Sequence, residues 1–138
     1  MNTTMNLAMS MTRKELPPIT ISGIDVERLE RLAAAASGMS SPAGDFLARE
    51  IARASVVPSG FLLPGVVTMG SRVDFRDETT GQARTVTLVY PEDADFAAGK
   101  LSVLSPVGAA LIGLSVSQSI EWQTPSGGWR SLSVLKVG

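Results

Sequence analysis

The carboxylates Glu92, Asp93 and Asp95, in the run TLVYPEDAD (residues 87–95), are the nearest approach to a reactive cluster in this 138-residue chain. Oxygen donors of this kind suit a hard cation, but the run lacks the Asp-x-Asp-x-Asp-Gly frame and the closing Glu of a calcium loop. It reads as a solvated acidic loop. Asp77-Glu78 reads as a turn, because aspartate favours turns through bonds to its own backbone. The glycine-bearing stretch GVVTMGSR (residues 65–72) lacks the Lys-Ser/Thr ending that a phosphate-cradling loop needs. The chain has no histidine and no cysteine. Their absence removes Ser-His-Asp triads, thiolate nucleophiles, phosphohistidine chemistry and Cys- or His-based metal sites. The expectation is a protein with no catalytic residue, no metal and no cofactor.

The elements that would carry any other site follow from periodicity. Residues 1–18 are polar and Met-rich, end at Pro17-Pro18, and read as a disordered tail. Residues 19–21 suit a short strand, and Ser22 with Asp25 three residues later suits a helix start. Val26, Leu29, Leu32 or Ala33, and Ala36 then form one apolar stripe, opposite Glu27, Arg28, Glu30 and Arg31. Ser41 as cap and Pro42 at the first helical position open a second helix. Its stripe is Leu47, Ile51 and Ala54, with Phe46 beside it, while Arg49, Glu50 and Arg53 are expected in water. Two helices joined by a few residues make an antiparallel hairpin over residues 19–57. The linker 58–65 carries Pro58, Gly60 and Pro64, and its Phe61, Leu62 and Leu63 are expected to pack under the hairpin or along a sheet edge.

Beyond Gly65 the period changes from 3.6 to 2, with Val73 and Phe75, then Val86, Leu88 and Tyr90, in alternation. The run LSVLSPVGAALIGLSVSQSIEWQT (residues 101–124) then holds a strand, a short helix and a second strand. Ser105 is its helix cap, Pro106 takes the first turn, and Val107, Ala110, Leu111 and Leu114 share a face. Gly113 sits where a left-handed residue ends a helix. The predicted class is α+β, a short helical hairpin before an antiparallel sheet that carries one short helix over residues 66–138.

This order of strand, Ser-Pro, small helix, glycine, strand with Ile120 and Trp122, and a last strand after residues 125–128 resembles the C-terminal domain of the bacterial Gre transcript-cleavage factors. That resemblance implies an FKBP-like fold. VVTMGSRVDFRD (residues 66–77) and TLVYPEDAD (residues 87–95) resemble the branch called regulator of nucleoside diphosphate kinase. Since this chain has no histidine to phosphorylate, the name can mean regulation only. The resemblance implies a partner, core RNA polymerase at the rim of its secondary channel, and a contact surface at Ser105, Pro106 and Val107 with Leu104 beside them. The hairpin tip would comprise Met39, Ser40, Ser41 and Asp45. Gre factors carry paired acidic residues at the tip of a long coiled coil, whereas residues 37–44 here read SGMSSPAG and each helix spans only about 20 Å at 1.5 Å per residue. The expected action is occupancy of the channel rim in competition with Gre factors, without transcript cleavage. The alternative is an FKBP-like peptidyl-prolyl isomerase or peptide-binding module, with Trp122, Trp129, Tyr90, Phe75 and Phe96 as its pocket. Aromatic residues alternating along strands are more often core, and that is how these five are read.

Charge sets the remaining expectations. There are 12 Lys and Arg against 13 Asp and Glu, with six of each sign before Val56 and six against seven after it. Neither half has the excess that phosphate-dominated binding requires, so no direct nucleic-acid contact is expected. No basic start leads into a long apolar run, and no membrane-spanning length appears, so a cytoplasmic monomer is expected.

Overall fold

The structure is a computed structural model that describes residues 16–37, 41–61 and 63–138. Strand β1 (Thr20–Ser22) runs directly into helix α1 (Gly23–Ser37), and α2 (Pro42–Arg53) brings the chain back to β2 (Ser55–Val57). Because the two helices return the chain to its starting level, β1 and β2 lie side by side and parallel, with Thr20 opposite Ser55 and Ser22 opposite Val57. The start of α2 is built as its sequence requires: the Ser41 hydroxyl accepts a hydrogen bond from the Gly44 N–H at 3.1 Å, and Pro42 occupies the first turn. Leu29, Ala33 and Ala36 of α1 and Phe46, Leu47 and Ile51 of α2 are buried.

The main sheet has the strand order β5-β4-β3-β7-β6, with β3 (Arg72–Asp77), β4 (Gln82–Val89), β5 (Lys100–Ser102), β6 (Ser119–Gln123) and β7 (Trp129–Val137). Four of these strands are antiparallel to their neighbours, and the period-2 reading holds: Val73, Phe75, Val86, Leu88, Ile120, Trp122, Leu132 and Val134 all face the core. Strand β5 differs. It joins β4 in parallel, Thr87 opposite Lys100, because the intervening residues cross back through two 3-10 turns, Pro91–Asp93 and Phe96–Ala98.

Helix α3 (Pro106–Leu111) lies between this sheet and the hairpin, and one apolar core runs from Ile19, Leu29 and Leu47 through Leu111 and Ile112 to Val134. The two parts are also joined through backbone. The Thr20 N–H donates to the Gly113 carbonyl at 3.1 Å, and the Gly113 N–H donates to Val67 at 2.9 Å. Gly113 has φ of +82°, and a Cβ there would meet Ile19 Cβ at 2.9 Å, so both the turn and the close approach require glycine.

Three sequence expectations need correction. Glu50 is not in water; it is 2% exposed, and both its carboxylate oxygens accept from Arg53, at 2.8 and 2.9 Å. Arg53 also donates to the Pro17 carbonyl, so the pair fastens the chain ahead of β1 to the end of α2. Phe61 is 64% exposed, held in a turn by its N–H to Pro58 O, while Leu63 is half-buried and Leu62 lies outside the described residues. Phe96 is 79% exposed rather than core, since it sits on a 3-10 turn and not on a strand.

Asp77 does more than shape a turn. Its carboxylate accepts from the Thr79 N–H at 2.9 Å and from Arg130 at 2.6 Å, tying the β3–β4 turn to β7. Burial alone would raise its pKa, but the bond to Arg130, the Thr79 and Thr80 amides and the Arg130 charge outweigh it and hold it below its ordinary 3.8. The folded state therefore binds this proton less tightly than the unfolded chain, and the stabilisation is complete above pH 3.8 and lost as pH falls toward the lowered value. Urea unfolding compared at near-neutral pH and at about pH 3 should show a smaller acid loss in Arg130→Met than in the parent; equal losses would contradict this assignment.

We propose that the boundary at residues 58–65 separates two units that share this core. A fragment of residues 66–138 is expected to keep dispersed amide NMR signals yet melt well below the full chain, because Leu111, Ile112 and Trp122 lose their cover. A melting temperature equal to that of the full chain would refute the shared core.

Candidate partner-binding site

The corner before α3 is rigid for local reasons. The Ser105 hydroxyl accepts from the Gly108 N–H at 3.1 Å and donates to the Ser102 carbonyl at 2.6 Å, while the Ser102 hydroxyl accepts from the Leu104 N–H at 3.0 Å. Pro106 is exposed at the helix start, Ser105 and Val107 are half-buried, and Leu104 is half-buried with its side chain packed on the core. Gly108 is fixed by space alone: a Cβ there would lie 2.1 Å from the Ser102 carbonyl oxygen. Moving the corner would break these hydrogen bonds at the helix start.

A groove of about 370 Å³ opens on one side of this corner. One wall is the first half of α2, with Pro42, Asp45, Phe46 and Arg49; the other is Pro106 with Trp122 and Pro125. Its floor is the stacked pair Phe46 and Trp122, ring centroids 5.9 Å apart and 30° between planes, an arrangement that contributes about 0.5–1.5 kcal/mol beyond burial. The structure thus brings Pro106 and Asp45, predicted at separate sites, to one groove, with Ser41 capping the helix that forms its wall. Val107 is not part of it. It lines a second groove, of about 290 Å³, on the opposite side of α3. Met39 and Ser40 lie outside the described residues.

Sequence reasoning missed Phe46 as a groove residue, and it named Trp122 only for an isomerase-type pocket before reading it as core. Phe46 stands beside a helical stripe and Trp122 at an alternating strand position, and nothing in either run says that they meet. It also missed how α1 is held. Arg28 lies over the Tyr90 ring, 3.6 Å from its centroid, and pairs with Glu92 in the acidic loop. Asp25 beside it is raised by burial, against the pull of the Met69 amide and the Arg28 charge. Tyr90 is raised by burial first and by the Asp25 charge second. The acidic loop is thereby partly occupied: Glu92 faces Arg28 and Asp95 accepts from the Ala98 N–H at 3.2 Å. Among the described residues no group of three or more carboxylates could hold a metal ion, and no helix is long and apolar enough to cross a membrane.

Hairpin, sheet and corner together define a two-part class: a GreA/GreB-type C-terminal domain behind a short helical N-terminus. The family described as "Transcription elongation factor, GreA/GreB, C-term" matches residues 63–138, and "Rnk N-terminus" matches residues 17–57. The chain is 40% identical over 121 residues to the regulator of nucleoside diphosphate kinase of Escherichia coli K12, covering 88% of this chain and 89% of that protein. A solved structure, "Prokaryotic transcription elongation factor GreA/GreB from Nitrosomonas europaea", is 45% identical with a TM-score of 0.65, covering 88% of this chain and 98% of that one. GreA of Sinorhizobium medicae is 37% identical over 87 residues, and the match spans 54% of its length. The chain belongs to the GreA/GreB family, in the branch of regulators of nucleoside diphosphate kinase. It is a family of regulators and transcription factors.

Ser105→Ala is expected to cost about 1 kcal/mol in chemical unfolding, the usual worth of a cap. Gly108→Ala should cost more, about 1–3 kcal/mol, because the Ser102 carbonyl has to move. A Gly108→Ala variant as stable as the parent would show that the corner is looser than its contacts require.

Proposed function

We propose that this chain is a cytoplasmic, monomeric transcription regulator that binds core RNA polymerase at the rim of its secondary channel and competes there with Gre factors without cleaving transcripts. Its effect on nucleoside diphosphate kinase is regulatory. Family membership supports the partner, and the exposed Pro106 corner is the surface that family resemblance points to. The observation that carries the lack of cleavage is the disposition of the hairpin. Helix α2 lies along α3 and buries Phe46 on Trp122, and Asp45 in its first turn lines the groove on the globular side. Glu50 is buried against Arg53, and residues 38–44 contain no carboxylate. Holding a second magnesium ion in a polymerase needs clustered oxygen donors at the tip. At 15 and 12 residues the helices span roughly 22 and 18 Å.

Purified protein should therefore co-elute with core polymerase and slow cleavage of backtracked transcripts by an added Gre factor. It should not shorten RNA on its own. Pro106→Glu, at an exposed position, should weaken polymerase binding roughly tenfold with little change in melting temperature. Shortened RNA produced by this protein alone, well above intrinsic cleavage, would overturn the reading, as would undiminished polymerase binding by Pro106→Glu.

A further inference from the structure

The groove on the Val107 side of α3 is shaped differently from the one at the hairpin. Its floor is apolar, with Phe75 and Val86 from the sheet and Leu101 and Val107 above them. Phe96 stands at its rim, 79% exposed on the 3-10 turn Phe96–Ala98. A single exposed ring is ordinary, but this one adjoins an apolar floor, so an apolar group entering the groove would bury both.

The walls of this groove carry charge of one sign. Arg84 and Lys100 line it, no carboxylate does, and neither cation has an ion pair among the described residues. The Arg84 guanidinium lies 5.7 Å from the Phe96 ring centroid, which holds it at the mouth. Asp95 bridges Lys100 through backbone hydrogen bonds, but it is outside the lining and its carboxylate accepts from the Ala98 N–H.

Backbone is open there as well. On β4, strand β5 pairs only with Thr87, Leu88 and Val89, so residues 82–86 have no strand on that side, next to Arg84 and Thr85 in the groove wall. An unpaired strand edge beside an apolar slot is the arrangement by which extended peptides are bound: main-chain bonds give affinity and a pocket reads alternate side chains.

We propose that this groove is a docking site for an extended peptide segment that carries a large apolar side chain flanked by carboxylates. The apolar side chain enters beneath Phe96 against Leu101 and Val107. The carboxylates face Arg84 and Lys100. Pro106 and the hairpin line the other groove, and of the corner residues that the family resemblance points to only Val107 lies in this one.

The test uses the full chain, ¹⁵N-labelled, titrated with a blocked heptapeptide Glu-Glu-Leu-Phe-Leu-Glu-Glu. Two control peptides replace either the four glutamates by lysine or the three central residues by serine. Saturable shifts are expected in the amides of Arg84, Thr85, Gly99, Lys100 and Val107, at least about tenfold weaker for either control. The double variant R84E/K100E should weaken the acidic peptide by a similar factor, and Phe96→Ala should weaken it while leaving the melting temperature unchanged, because that ring is exposed. Equal or tighter binding of the lysine peptide, shifts that map outside this groove, or no saturation at about 1 mM would each overturn the proposal.

Discussion

Between the five-stranded sheet and the helical hairpin there is room for one narrow helix, and residues 108–110 of α3, Gly-Ala-Ala, are what make it narrow. The three residues are buried together with Leu111, so the helix has almost no solvent face. A methyl group at Gly108 would overlap the Ser102 carbonyl, and one at Gly113 would press on Ile19. Small residues at these positions let sheet and hairpin approach closely enough to share one core, and burial at roughly 25 cal/mol per Å² of apolar surface then favours the assembled form. What remains exposed of α3 is its start, where Pro106 and Val107 point to opposite sides.

That arrangement decides what the molecule can present to a partner. The hairpin lies against the globular part, fixed at one end by Phe46 on Trp122 and at the other by Arg28 on Tyr90. Asp45, in the first turn of α2, is exposed and lines the first groove, Glu50 at the far end of that helix is held by Arg53, and Glu92 of the acidic loop is held by Arg28. The faces left open are an aromatic-floored groove beside Pro106 and a cationic, apolar one beside Val107.

The elements were legible in the sequence wherever local physics determines them. The Ser41-Pro42 and Ser105-Pro106 starts, the alternation in β3, β4 and β6, and the left-handed Gly113 depend on the few residues around them, and each appears as expected. Phe61 and Phe96 were missed because each sits on a local turn that its run does not announce, and the other misses depend on residues far apart. Glu50 looks like a surface residue until α2 is laid on the rest of the molecule and Arg53 neutralises it. The parallel pairing of β5 depends on how the acidic loop crosses back. The candidate site was half legible for the same reason: capping rules mark the corner, but no rule of spacing says that Asp45 and Pro106, 61 positions apart, line one groove.

The claim on which this account rests most heavily is that the hairpin packs on the globular domain in the free protein. Because the chain has no cysteine, a pair placed at Ala43 and Gln123, on facing walls of the first groove, reports on it without interference. The Ala43→Cys, Gln123→Cys variant, treated dilute with a short bifunctional maleimide, should give a fast-migrating, intramolecularly bridged monomer in high yield. If both cysteines react fully with a monofunctional maleimide but no bridged monomer forms, the hairpin stands away from the domain and the account fails.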